Sequence, residues 1–231
     1  MYVNLPLANV YPAGAGGSFL ASVLSKVLFD DKFYMSNELG NCHDPGLERM
    51  NHFIPDTSIE SMQYELELIS RTPTDNLRII SGHYRNLIAL QNITDFWYLK
   101  IDHNTDDERQ CSFLANMIIK KVGYEGIKDV YQDVRNDNWP KTYGEFLQSS
   151  NKYDLYHETL MSTYRNWYWV ENDFTKDRTI TFTLEDIFLN DVGTKLWEWF
   201  DRDICNKVDE IQMNYKKKNL ELYPEIKNFL R

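Results

Sequence analysis

The sequence predicts an α/β protein, a parallel sheet flanked by helices with a helix-rich C-terminal half. Three apolar runs of strand length begin at Leu7, Arg78 and Phe96, and each is followed by a polar turn and a helical repeat of apolar residues. Strands that alternate with helices in this way form parallel sheets covered by helices. The 231 residues contain no internal repeat and no Pro/Gly/Ser-rich linker, so residues 1–231 are predicted to form a single domain.

The N-terminal half is predicted to contain three strands and two helices. A strand over 7–11 stops at Pro12 and a glycine-rich turn, and apolar residues from Phe19 to Leu28 then repeat with the period of a helix. Thr57–Glu60 has the form of a capping box and begins a helix that ends near Arg71. Two more buried strands are predicted over 78–82 and 96–101.

The C-terminal half is predicted to be mainly helical. The charges of Asp106-Asp-Glu suit a helix N-terminus, and apolar residues continue on one face to Gly123. Helical patterns then dominate from about 127 to 172, and the alternating segment Arg178–Leu184 is the last clear strand. Two helices, around 193–200 and 204–222, close the chain.

Charge and cysteine usage exclude several classes of protein. A net charge of −10 argues against a binder of duplex nucleic acid, since neutralising phosphates needs a broad basic face. No apolar run approaches the ~20 residues that span a bilayer, and the first residues lack the basic stretch of a secretory signal, so no membrane is expected. Cys42, Cys111 and Cys205 are odd in number and form no CxxC pair, which predicts reduced thiols and a cytoplasmic location.

A glycine-rich loop joins the first strand to the first helix. Gly14, Ala15, Gly16, Gly17 and Ser18 are small enough for backbone amides to approach an anion where the helix begins. The loop is not a Walker A motif, because Gly17 stands where that motif has a Lys. Anion binding is favoured, and the alternative is a tight turn that only packs the helix on the strand.

Four segments match one family in chain order. They are Gly14–Leu20 after Tyr11-Pro, Ile79–His83, Phe96–Ile101 followed by Ser112 in a helix, and Thr181–Ile187. Together they resemble the PAPS-dependent sulfotransferases, which have a P-loop-type sulfotransferase-like fold. The resemblance implies that the loop binds the phosphosulfate of PAPS, that His83 deprotonates a hydroxyl acceptor, and that Ser112 holds the 3′-phosphate. Adenosine 3′,5′-bisphosphate would be the product, and a small molecule or glycan that bears a hydroxyl would be the acceptor.

Two cations of the family pattern are replaced in this chain. Gly14 stands where the family loop has a Lys, and Asn104 stands where an Arg is expected eight residues before Ser112. Arg85, Arg109 and Lys100 are candidate replacements from other positions, and Arg109 shares a predicted helix face with Ser112.

Two other functions stay open at this point. One is a degenerate kinase-like protein for phosphoryl transfer in which Asp102 or Asp106 holds magnesium. The other is a non-catalytic module whose aromatic C-terminal half binds a protein partner. No resident metal is predicted: the segment from Asp102 lacks the Gly and Glu of a calcium loop, and Cys42-His43 with His52 has no second cluster.

Overall fold

Four parallel strands form one sheet in the part of the chain that the structure describes. The computed structural model describes residues 7–12, 14–29, 79–82, 97–119, 152–167 and 176–230. The strands are β1 (Leu7–Val10), β2 (Ile79–Gly82), β3 (Trp97–Ile101) and β4 (Thr179–Phe182), in the spatial order β2-β1-β3-β4. Every neighbouring pair is parallel, which confirms the predicted parallel sheet.

Helices flank this sheet, and most of the described C-terminal half is helical. In chain order the helices are α1 (Gly17–Phe29), α2 (108–119), α3 (Lys152–Arg165), α4 (Leu184–Phe188), α5 (Val192–Leu196), α6 (Arg202–Leu222) and α7 (Ile226–Phe229), with a 3₁₀ helix at Lys176–Arg178 before β4. The α/β class predicted from the sequence is therefore confirmed.

Two helix ends differ from the sequence prediction, and one helix was not predicted. The helix predicted over 193–200 ends at Leu196, because the amides of Trp199 and Phe200 both donate to the Leu196 carbonyl and turn the chain. Helix α3 ends at Arg165, where a last turn tightens, rather than continuing to 172. Helix α4 was not predicted. The helix predicted over 57–71 lies outside the described residues.

Helix α4 is short but has a complete capping box. Thr183 Oγ1 accepts from the Asp186 amide at 3.2 Å, and the Thr183 amide donates to Asp186 Oδ2 at 2.7 Å. Two amide groups that the helix cannot satisfy internally are thereby paired. The five-residue helix that follows β4 is stabilised by these bonds.

The core is one apolar cluster around the central strand. All residues of β1 are at most 1% exposed, as expected for a parallel strand that is covered on both faces. Aromatic rings make much of the contact with the helices: Phe19 of α1 stacks on Tyr215 of α6 with centroids 4.0 Å apart, and Phe113 meets Phe188 edge-on at 5.0 Å. These aromatic residues therefore pack the core rather than form an exposed surface.

Candidate functional site

The strand order places a divergence point between β1 and β3. Strands β1 and β3 are neighbours. The next described strand after β1 is β2, on the outer side of β1, whereas the next after β3 is β4, on the outer side of β3. In parallel α/β sheets, loops that leave in opposite directions border a crevice at the carboxyl ends of the strands, and ligands bind there. Residues 11–16 and 102–107 are the loops at this place, so they define the candidate site.

The first of these loops is tied to the sheet by short hydrogen bonds. Asn9, fully buried in β1, donates from Nδ2 to the Gly17 carbonyl at 2.8 Å. The Ala15 amide donates to the Pro12 carbonyl at 3.1 Å and closes the turn. The end of β1 and the start of α1 are thus held together through both side-chain and backbone bonds.

Two glycines of the loop adopt positive φ and pack against different helices. Gly14 has a φ of 86° and Gly16 a φ of 83°, a conformation that residues with a Cβ rarely adopt. A Cβ on Gly14 would lie 2.9 Å from the Leu114 carbonyl oxygen of α2, and one on Gly16 would lie 2.6 Å from Ile187 Cγ2 of α4. The loop thus packs closely against α2 and α4, as the tight-turn interpretation predicts. Its role in binding an anion stays a prediction.

The start of α1 presents amide donors. The Leu20 amide donates to the Gly16 carbonyl, so helix geometry leaves the amides of Gly17 and Ser18 without an acceptor inside the helix. The first turn contains no acidic residue. Aligned peptide dipoles make this end of a helix electropositive, which favours an anion.

Lys100 places a cation on the strand beside the loop. Its Cα is the register partner of Val10, the last residue of β1. Its Nζ lies 2.8 Å from Asp102 Oδ2, and Asp102 follows β3, so the ammonium group leans toward the carboxyl end of the sheet. Only 15% of the Lys100 side chain is exposed. Sequence analysis named Lys100 among the residues that could replace the missing cations, but a single Lys inside an apolar strand carries no motif. Its place beside the glycine loop follows from the register of β1 and β3.

Arg109 contacts a carboxylate at the start of its own helix. Its Nε and Nη2 donate to Asp107 at 3.2 Å and 3.1 Å, and 60% of the side chain is exposed. These hydrogen bonds hold the pKa of Asp107 below its ordinary value. These contacts pair Arg109 with Asp107 at the start of its own helix.

Ser112 lies on the face of α2 that packs against α3. Its Oγ is 3.2 Å from His157 Nε2 and accepts a hydrogen bond from Asn116 Nδ2 at 3.4 Å. A helix turns by about 100° per residue, so Ser112 lies about 200° around α2 from Leu114, which faces Gly14. Ser112 and the part of α2 that meets Gly14 therefore lie on different faces of the helix.

Several predicted site residues cannot be placed. The proposed base His83 and the candidate cation Arg85 lie outside the described residues, as do Cys42, His43 and His52. Their roles stay predictions from the sequence.

His103 is a buried residue of the second loop that sequence analysis did not select. It is 7% exposed, and its Nε2 lies 3.0 Å from the Tyr164 carbonyl oxygen of α3. Burial lowers the pKa of the imidazole below 6.5, and the hydrogen bond to Tyr164 only partly offsets this effect. A polar residue directly after an apolar strand was the available signal, but its burial depends on α3, which is distant in the sequence.

The C-terminal segment that resembles the family signature has structural contacts. Asp186 caps α4 and pairs with Lys195 of α5 at 2.6 Å, and Glu185 accepts from Gln110 of α2 at 3.3 Å. These carboxylates link α4 to its neighbours. Within the described part of the chain they are engaged in packing the elements that follow β4.

Neither placed cysteine has the properties of a nucleophile. Cys111 and Cys205 are free thiols with no measurable exposure. Burial raises the pKa of each thiol to about 11, and only the thiolate reacts. In the described residues, these two thiols are unsuited to covalent catalysis.

The described residues contain no group of three or more His, Cys, Asp or Glu side chains placed to hold a metal ion. None of the described helices has the length and apolar character needed to cross a membrane. No family model matches this chain, and neither a curated protein nor a solved structure matches it.

Proposed function

We propose that this chain binds the phosphosulfate nucleotide PAPS at the carboxyl ends of β1 and β3 and transfers its sulfuryl group to a hydroxyl acceptor. The observation that carries the proposal is the strand register: Lys100 is the partner of Val10, the residue from which the glycine loop and the amide donors of α1 follow, at the divergence point of the sheet. Amides at a helix N-terminus and a partly buried cation both stabilise phosphate and sulfate oxygens.

Lys100 takes over the charge of the missing loop Lys in this proposal. Gly14 has no side chain, and any side chain there would meet the Leu114 carbonyl of α2. A cation reaching the crevice from β3 provides the same charge without entering that contact. The anion and Asp102 would then share the ammonium group of Lys100.

The proposed transfer step is a displacement at sulfur. An acceptor hydroxyl oxygen attacks the sulfur atom while the bond from sulfur to the bridging phosphate oxygen breaks. The acceptor proton passes to His83, and adenosine 3′,5′-bisphosphate leaves with the bridging oxygen. Amides of the loop stabilise the charge that develops on the departing group.

Calorimetric titration with PAPS and with adenosine 3′,5′-bisphosphate tests the binding step. We expect both to bind with a dissociation constant below 1 mM, and Lys100→Met to weaken binding about tenfold, or about 1.4 kcal/mol. Lys207→Met is the matched control, because Lys207 is exposed on α6. Absence of binding to the wild-type chain at about 1 mM ligand, a concentration that corresponds to about 4 kcal/mol of affinity, would refute the proposal.

His83→Ala tests the transfer step separately. We expect this variant to keep nucleotide binding and its free energy of unfolding within about 1 kcal/mol, and to lose sulfuryl transfer to a hydroxyl acceptor. Retained transfer would exclude His83 as the base. Binding without transfer in the wild-type chain would favour the non-catalytic module, and a magnesium-dependent thermal shift with ATP, absent with PAPS, would favour the kinase-like protein.

A further inference from the structure

His103 connects the end of β3 to the end of α3. Its ring lies against Tyr164 and Trp167, edge-on to both, with centroid distances of 5.8 Å and 6.5 Å. Its Nε2 lies 3.0 Å from the Tyr164 carbonyl oxygen. A carbonyl oxygen only accepts hydrogen bonds, so Nε2 must carry the proton.

Among the described residues, the other ring nitrogen has no acceptor to which it could donate. In the neutral imidazole with a proton on Nε2, Nδ1 is a lone pair. Nδ1 is buried and has no hydrogen-bond partner among the described residues. A second proton would therefore add both a positive charge and an unsatisfied N–H group beside two aromatic rings, and burying such a group is costly.

Charged groups around the ring do not remove this cost. Asp102 precedes His103, and its negative charge favours the charged imidazole. The Asp102 carboxylate already pairs with Lys100, however, and the positive charge of Lys100 disfavours the charged imidazole. On the neighbouring helices, Glu108 of α2 pairs with Arg165 of α3 at 2.6 Å. The carboxylates of Asp102 and Glu108 thus already have cationic partners.

Polar contacts also attach α3 to α2. One is the Glu108–Arg165 ion pair, in which both side chains are largely exposed. Another joins Ser112 Oγ to His157 Nε2 at 3.2 Å. Exposed ion pairs contribute little, so the buried hydrogen bond of His103 contributes more to holding the C-terminal end of α3 than the Glu108–Arg165 pair does.

We propose that His103 forms a pH-sensitive contact: the neutral ring holds the end of α3 against the loop after β3, and protonation of the ring releases α3. The direction follows from linkage. The imidazole has a lower pKa in the folded chain than in the unfolded chain, so its contribution is fully present above about pH 6.5 and is lost as the pH falls below that value. Because His103 lies in the loop 102–107, its release would loosen one border of the candidate site.

Hydrogen exchange of the full chain at pH 7.5 and pH 5.5, corrected for the intrinsic pH dependence of exchange, tests this proposal. We expect protection of the amides in 157–166 to fall about tenfold at the lower pH. His103→Gln keeps a donor for the Tyr164 carbonyl and has no charge at either pH, so its protection should change less than twofold. His157→Gln, which alters the other histidine at this interface, should retain the wild-type response.

An equal response in wild type and His103→Gln would overturn the proposal, as would a response abolished by His157→Gln alone. NMR titration of the His103 ring in the wild-type chain provides a second measurement if the variant does not fold. A titration midpoint of the ring below 6.5 that coincides with chemical-shift changes of the α3 amides supports the proposal, and a midpoint at or above 6.5 overturns it. Neither readout requires the proposed nucleotide.

Discussion

Gly17 has no room for a side chain, because the Tyr11 ring occupies the place where its Cβ would be. Tyr11 itself is 4% exposed and belongs to the core, so moving its ring away would disrupt core packing. We therefore expect Gly17→Ala to lower the free energy of unfolding by about 1–3 kcal/mol through overpacking. Urea denaturation followed by circular dichroism measures this change.

The same substitution in a Tyr11→Leu background tests the physical cause. Without the aromatic ring the new methyl group has space, so Gly17→Ala should cost less there, and the two substitutions should couple by about 0.5 kcal/mol or more. Additive effects would show that the cost of Gly17→Ala does not arise from contact with Tyr11. Both stability measurements test the packing role of the loop, and the calorimetric titrations test its nucleotide binding separately.

At the scale of elements, Gln212 joins three helices through one buried side chain. Its Oε1 accepts from the Val192 amide of α5 at 2.8 Å, and its Nε2 donates to the Asp186 and Ile187 carbonyls of α4 at 2.7 Å and 3.0 Å. Gln212 is fully buried on α6. Gln212→Leu has a similar size but leaves these backbone groups unsatisfied, so we expect it to destabilise the chain by about 2–4 kcal/mol.

Asn214→Leu provides the matched control for that variant. Asn214 lies on the same helix but is exposed, so its replacement by Leu should change the free energy of unfolding by no more than about 0.5 kcal/mol. Thermal denaturation of both variants at one pH measures the difference. Equal stability of Gln212→Leu and the wild type would contradict the role of Gln212 as a link between helices.

The elements that the sequence predicted best are those with a strong local pattern. Strands β1 and β3 are short apolar runs bounded by polar residues, and such runs mark buried parallel strands without reference to the rest of the chain. Helix α4 has only five residues, too few for a period to show, and its capping box depends on Asp186 rather than the more usual Glu or Gln. Length and local chemistry thus decided which elements could be found.

The candidate site was predictable in part for the same reason. The glycine loop carries its own signal, because positive φ at Gly14 and Gly16 needs glycine. The side of α2 on which Ser112 lies, and the burial of His103, depend on where α3 packs. Contacts between segments so far apart in the sequence leave no local pattern, so a motif could suggest Ser112 but could not assign its neighbours.

At the scale of the whole molecule, the described elements share one hydrophobic core. Buried residues of β1, α1, α2, α3, β4 and α6 belong to a single contiguous cluster, and α1 packs on both β2 and α6. No described element has an apolar cluster of its own that would let it persist when the others unfold. A shared core of this kind favours cooperative unfolding, since removing one element exposes the apolar faces of the rest.

We therefore expect the chain to unfold in a single transition, in agreement with the single domain predicted from the sequence. Far-UV circular dichroism, which follows the helices, and tryptophan fluorescence, which follows residues such as Trp97 and Trp199 in edge-on contact at 4.8 Å, should give the same urea midpoint. The measurement belongs at pH 7.5, where His103 is neutral and its attachment to α3 is intact. Two separate midpoints at that pH would show that part of the chain folds independently of this core and would contradict the single-domain prediction.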